Sequence, residues 1–273
     1  GGDTLVGGAG DDTLAGGAGD DRYLFDADLP TGNDTLVELA GGGTDVLDFS
    51  STTTVGITLD LSSLTAQVFN GPGDASIQFS APTFENIIGT EQGDILSGNA
   101  LVNHLEGRGG NDILRGAGGN DLLDGGLGND RVDEETDGSA TVAPGSLTFS
   151  GAFGPGEHTA GEVDTLVGIE RVKLTGGDTN NTFDASTFDG VVTLVGGGGN
   201  DLLIGTPRGD ILNGGSGDDL IYGGDGNDTY QFNADTDAGN DQLFEDPHYV
   251  VISGISYNTS IDILDFSDRK SVV

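Results

Sequence analysis

The feature that most constrains this chain is a nine-residue period. Residues Gly7-Gly8-Ala9-Gly10-Asp11-Asp12-Thr13-Leu14-Ala15 run straight into Gly16-Gly17-Ala18-Gly19-Asp20-Asp21-Arg22-Tyr23-Leu24, and both follow G-G-x-G-x-D-x-U-x, where U is a large apolar residue. The chain opens inside an earlier copy, with Asp3 and Leu5 in phase. The pattern returns from Gly89 to Asp133, where position six is Asp94, Asn103, Asp112, Asp121 and Asp130 and position eight is Leu96, Leu105, Leu114, Leu123 and Val132. It returns again from Gly196 to Gln231, with Asp201, Asp210, Asp219 and Asp228 at position six and Leu203, Leu212, Ile221 and Tyr230 at position eight. Chance does not hold an aspartate and an apolar residue in phase through such runs.

The period dictates a geometry. Glycines at positions one, two and four permit positive φ and a tight bend that exposes backbone carbonyls. The x-U-x triplet is long enough for one strand crossing, with U inward and its neighbours outward. Two units then make one coil, and copies n and n+2 stack on the same edge. Helices longer than a turn or two are not expected anywhere.

Composition narrows the chemistry. Asp plus Glu number 46 against 9 Lys plus Arg, a net charge of −37. So acidic a chain repels nucleic acid and anionic membrane surfaces, and its natural partners are cations. Glycine contributes 51 residues and proline only 7, which suits a repetitive structure with a thin core better than an ordinary globular one. Cysteine is absent, so neither disulfides nor a thiolate zinc site can staple the fold, and a metal held by oxygen is the obvious substitute. No apolar run has the length of a membrane span. No signal peptide is visible, and Gly1 in place of Met gives the expectation that upstream residues are missing. Collagen, phosphate-cradling and EF-hand readings of the glycine and aspartate runs fail on spacing.

The repeat resembles the calcium-binding nonapeptide of the RTX (hemolysin-type) family, directly over about half of the chain. That resemblance implies an all-β fold, a right-handed parallel β-roll or β-helix solenoid in which the first six residues of each repeat form a calcium-binding turn and the last three a short strand. It implies several bound Ca²⁺ ions, with Asp3, Asp12, Asp21, Asp34, Asp94, Asp112, Asp121, Asp130, Asp201, Asp210, Asp219, Asp228 and Asp241 as ligands. Calcium takes six to eight hard oxygens, which carbonyls and carboxylates supply. Asn103 and Asn181 keep an oxygen but not the charge, so their turns are expected to bind calcium weakly or not at all.

A longer duplication overlies the short one. Asp21-Arg22-Tyr23-Leu24-Phe25 is answered by Asp228-Thr229-Tyr230-Gln231-Phe232, Gly32-Asn33-Asp34 by Gly239-Asn240-Asp241, and Asp45-Val46-Leu47-Asp48-Phe49 by Asp262-Ile263-Leu264-Asp265-Phe266. The second copy carries extra residues around His248 to Asn258. The expected organisation is therefore repeats and following strands at 1–50, an irregular β block at 51–88, repeats at 89–133, a second irregular block at 134–195, repeats at 196–244 and a partial next unit at 245–273. Alternating Val55, Ile57, Leu59 and Leu61, then Ile77 and Phe79, then Leu147 and Phe149, and finally Val172 and Leu174 predict strands within the blocks. Asp268 to Val273 break every pattern and match a common sequencing adapter in frame, so they read as an artefactual tail.

No catalytic constellation is present. His104, His158 and His248 form no H-E-x-x-H, no G-x-S-x-G elbow occurs, and His104 at position seven reads as an outward-facing strand residue. The reading is a non-enzymatic, calcium-folded structural module of a large secreted or cell-surface protein. It is expected to be extracellular, to be exported by the type I route and to be monomeric as a fragment. Two alternatives stand beside it: an adhesive or carbohydrate-binding module with a cell-surface or glycan partner, or the repeat region of a secreted hydrolase or epimerase whose catalytic domain lies elsewhere.

Overall fold

A computed structural model describes residues 1–39, 41–69, 71, 75–151, 158–233, 239–245 and 261–265. The extra residues around His248 to Asn258 and the tail from Asp268 lie outside the described residues. The described chain is built of strands, with no helix among the described residues. It divides into two compact units: unit 1 comprises Gly1–Val132 and Asp164–Ile169, and unit 2 comprises Asp133–Val163 and Glu170–Val273.

In unit 1 the repeat fixes the register. One parallel stack orders Thr4–Leu5, Arg22–Leu24, Val46–Asp48, Asn86–Ile88, His104–Glu106, Leu122–Asp124 and Val163–Val167. A second runs Thr58–Asp60, Ile95–Ser97 and Ile113–Arg115, with Arg131 and Val132 pairing on Ile113 and Leu114 at its end. Leu96 pairs with Leu114 and Leu105 with Leu123, so partners lie two repeats apart. Position eight is buried and its flanks are half-buried at Ile95–Ser97, His104–Glu106 and Ile113–Arg115, whereas Leu5 and Leu14 in the first repeats are half-buried. A column of leucines lines the coil: Leu96, Leu105, Leu114 and Leu123 are fully buried.

The irregular block of unit 1 widens that core. Thr13–Ala15 pairs with Asn33–Val37, which pairs with Ser76–Phe79, and Gln67–Val68 folds back antiparallel on Ser76–Phe79. Aromatic rings fill the added width: Phe49 lies 5.2 Å from Phe25 and 5.0 Å from Phe69, and Phe84 lies 5.3 Å from Tyr23 and 5.1 Å from Phe79. Edge-to-face and offset contacts at these separations are the favoured ring geometries.

Unit 2 repeats the scheme. Ser139–Ala143, Thr182–Asp184, Leu202–Ile204, Leu220–Gly224 and Gln242–Glu245 form one parallel stack, and Arg171–Gly176, Val191–Gly198, Ile211–Ser216 and Thr229–Asn233 another. Its irregular block contains an antiparallel hairpin, Ser139–Ala143 against Ser146–Ser150. The Pro144-Gly145 pair turns it, with Gly145 at φ 78°. Proline presets the first central turn residue and glycine accepts the positive φ of the second. The two long copies part company at their ends. Val46–Asp48 pairs parallel with Arg22–Leu24, whereas Ile261–Asp265 pairs antiparallel with Thr229–Asn233.

Candidate metal centre

Position six does two things in every regular coil. Its carbonyl accepts the first N–H of the next stacked strand, as in Ile113 to Asp94 and Arg131 to Asp112. Its side chain reaches the other way: Asp112 Oδ1 accepts the Asp94 N–H and Asp130 Oδ1 the Asp112 N–H, each at 2.8 Å. The same bond links Asp3 to Asp21, Asp12 to Asp34, Asn103 to Asp121, Asn181 to Asp201, Asp201 to Asp219, Asp210 to Asp228 and Asp219 to Asp241. The aspartates are therefore stacked in ladders, and all of the sequence-predicted residues take part. Asp3 is the one exposed rung; Asp12 is half-buried and the others are buried.

The second carboxylate oxygen separates the turns into two kinds. Oδ2 of Asp12, Asp21, Asp112 and Asp201 is buried and has no hydrogen-bond partner. It fills the space where position one would carry a Cβ. A Cβ on Gly107 would strike Asp112 Oδ2 and lie 2.8 Å from the Gly125 carbonyl oxygen, and Gly196 stands likewise to Asp201 Oδ2 and the Gly214 carbonyl. Position one is thus glycine for room, while positions two and four carry the positive φ, for example Gly215 at 96° and Gly217 at 132°. Arg108 and Ala117 hold position two at φ 75° and 63° without being glycine.

In the other kind the turn supplies its own donors. Gly89-Thr90 and Gly205-Thr206 replace the Gly-Gly pair. Asp94 Oδ2 accepts the Thr90 N–H at 2.7 Å, and its Oδ1 accepts the Thr90 hydroxyl at 3.0 Å and the Ile57 N–H at 2.7 Å. Asp210 is held in the same way by Thr206 and by the Val192 N–H. Asn103 belongs with these, since its Oδ1 accepts the Asn99 N–H and its amide donates to the Glu85 carbonyl.

Burial raises the carboxyl pKa at several rungs of the ladders. Asp112 is pushed up to about 7, first by burial and then by the carboxylates of Asp94 and Asp130, against the lowering effect of the Asp94 N–H. Burial pushes Asp201 to about 6. Asp94 and Asp210 also rise by burial, opposed by their threonine and backbone bonds. A buried oxygen without a donor, facing backbone carbonyls, is the arrangement that a hard cation satisfies and a protein hydrogen bond does not. These residues fit calcium.

The ladders also hold residues that the repeat did not flag. Asp45 Oδ1 accepts the Asp21 N–H, Glu85 Oε2 accepts the Asp45 N–H, and Asp164 Oδ1 accepts the Asp121 N–H. Each precedes a buried apolar residue by two places, Leu47, Ile87 and Leu166, and that Asp/Glu-x-U fragment is the signal they share, since none has a glycine at position one of its turn. Glu38 lies outside the nine-residue register altogether, yet its carboxylate sits with those of Asp21 and Asp45, with ligand-capable oxygens within 4.8 Å of one another and all three residues buried.

A comparison with protein families matches the RTX calcium-binding nonapeptide repeat in four copies, at residues 1–28, 97–132, 195–230 and 204–243. The matched stretches hold most of the sequence-predicted ladder aspartates, with Asp34 and Asp94 outside them. No curated protein matches the chain.

Proposed function

Because the chain belongs to the RTX calcium-binding nonapeptide repeat family, we propose that its folding is switched by several calcium ions seated at the turns whose second position is a glycine or another residue at positive φ. The family's repeat is a structural calcium-binding module and not a catalytic one, and proteins that carry it are typically exported by type I secretion. Among the described residues no helix is long and apolar enough to cross a membrane.

The observation that carries the reading is the buried, donor-free Oδ2 of Asp12, Asp21, Asp112 and Asp201. An unsatisfied buried polar group costs about 1–3 kcal/mol, and more when charged. Stacked carboxylates at the roughly 4.8 Å strand spacing repel by about 3–4 kcal/mol at an effective dielectric near 20. A divalent cation reverses both effects. Asp94 and Asp210, satisfied by threonine, are outside the calcium set in this reading. They close their turns without metal.

Extracellular calcium modules work at about 10⁻⁴ to 10⁻³ M, far above the free calcium of a cytosol. We therefore place the working, folded state outside the cell or on its surface. The test is circular dichroism of the purified chain, first in chelator and then through a calcium titration. Little β signal in chelator, a cooperative gain with calcium and poor substitution by magnesium are expected. Full β signal in chelator overturns the reading.

A further inference from the structure

We infer that Asp21, Glu38 and Asp45 of unit 1 form a three-carboxylate site for a hard, highly charged cation, assembled with a glutamate that the nonapeptide does not encode. The inference rests on the calcium reading above and specifies one site within it. Asp21, Glu38 and Asp45 are 1%, 5% and 1% exposed, and their ligating oxygens lie within 4.8 Å of one another. An acidic cluster alone would mean little. Here Asp21 Oδ2 is buried without a hydrogen-bond partner. Asp21 Oδ2 and Glu38 Oε1 both crowd the space that a Cβ on Gly16 would fill, so they converge on one cradle.

The donors nearby are committed elsewhere in the cluster. The Asp3 N–H goes to Asp21 Oδ1 at 2.6 Å, the Asp21 N–H to Asp45 Oδ1 at 2.9 Å, and the Gly16 N–H and Tyr23 hydroxyl to Glu38 Oε1. Arg22 turns its guanidinium to Asp48. Calcium-site affinity follows ligand charge and rigidity. A site with a third carboxylate, fixed by Tyr23 and Gly16, should outbind turns built from aspartates of the repeat alone and fill first.

Tyr23 supplies the probe. Its hydroxyl donates to Glu38, so a terbium(III) ion in the cradle lies beside a tyrosine able to sensitise it, in a chain with five tyrosines and no tryptophan. Tyr230 stands beside Asp228 at Gly223 in unit 2, so the measurement is made in a Tyr230→Phe background. Tyrosine-excited terbium emission is titrated in that background alone and with Tyr23→Phe or Glu38→Gln added. The earliest-saturating component should vanish with Tyr23→Phe. With Glu38→Gln it should need at least about tenfold more terbium, and calcium should compete it away. Glutamine keeps the length of Glu38 and can still accept from Gly16 and Tyr23. If the Glu38→Gln protein falls short of full β signal at saturating calcium, Glu38→Asp is titrated instead, with weakening again expected. An unchanged first component in the glutamate variant, or its survival in Tyr23→Phe, overturns the site. Calcium-dependent β signal in those same samples would leave the broader calcium reading standing, whereas its loss would remove both.

Discussion

At Asp112 and Asp201 the outer carboxylate oxygen is buried with no donor, whereas at Asp94 and Asp210 the same oxygen accepts the N–H of a threonine four residues earlier. Each unit contains one turn of each kind from this set. Both kinds share the aspartate, the apolar residue two places on and the stacked strand. They differ at position two. Glycine or a residue with positive φ turns its N–H away from the carboxylate, while threonine brings both an N–H and a hydroxyl to it. One turn leaves a buried oxygen without a donor, and the other satisfies it from its own residues. Under the proposed calcium reading, a solenoid mixing the two has fixed joints between calcium-dependent ones.

The widest separation should come from truncating the carboxylates. Asp112→Ala or Asp201→Ala should raise the calcium midpoint of folding about tenfold or more, each tenfold being ~1.4 kcal/mol. Asp210→Ala should move that midpoint by less than about threefold. Its cost should appear instead in calcium-saturated protein, at about 2–3 kcal/mol in denaturant unfolding, because the Val192 and Thr206 N–H groups lose their acceptor. Asp189→Ala, exposed in the irregular block, is the reference and should change neither. Equal midpoint shifts for Asp201→Ala and Asp210→Ala would erase the distinction.

Removing only the latch is a finer cut. Thr206→Val keeps the shape and the backbone N–H but deletes the hydroxyl that Asp210 accepts. Stability at saturating calcium should fall by about 1 kcal/mol, the net worth of one hydrogen bond. The calcium midpoint should stay in place. A fall in midpoint, showing that Asp210 takes up calcium once released, would mean that the threonine competes with the ion at a true metal turn.

Much of this was written in the sequence, and the gaps have physical causes. The strands, the pairing two repeats apart and the buried position-eight column follow from the period, because a three-residue crossing leaves one inward side chain. The ladder residues Asp45, Glu85 and Asp164 were missed because a position-six carboxylate can cap the coil before it without a glycine at position one of its own turn. Glu38 gave no periodic signal, and only the long duplication, which sets Glu245 opposite it, marks it at all. The sequence treated all position-six aspartates alike. Telling Asp94 from Asp112 requires knowing where the second oxygen points, and position two decides that through backbone conformation. In the block at 134–195 the Pro144-Gly145 pair announced a turn, yet the hairpin it closes was read only as scattered strands.

The smallest effect expected is on pH, and it separates the metal-free from the calcium-bound chain. Without metal, Asp112 titrates in the fold near 7 and Asp201 near 6, raised chiefly by burial, against about 3.9 for an aspartate in an unfolded chain. The folded state then binds protons more tightly than the unfolded one. Each group's contribution is fully present below pH ~4 and is lost as pH rises through 6 to 7. Lower pH also reduces the net charge of −37 that opposes compaction. In EDTA the β signal should therefore be greater at pH 5 than at pH 8. With calcium present the slope should reverse, because protons and calcium compete for the same oxygens, and the calcium midpoint should rise as pH falls below about 7. Circular dichroism at the two pH values, with and without calcium, reads both slopes. Metal-free chain more ordered at pH 8 than at pH 5 would mean that the Asp112 and Asp201 carboxylates are satisfied without a cation, and the two kinds of turn would be one.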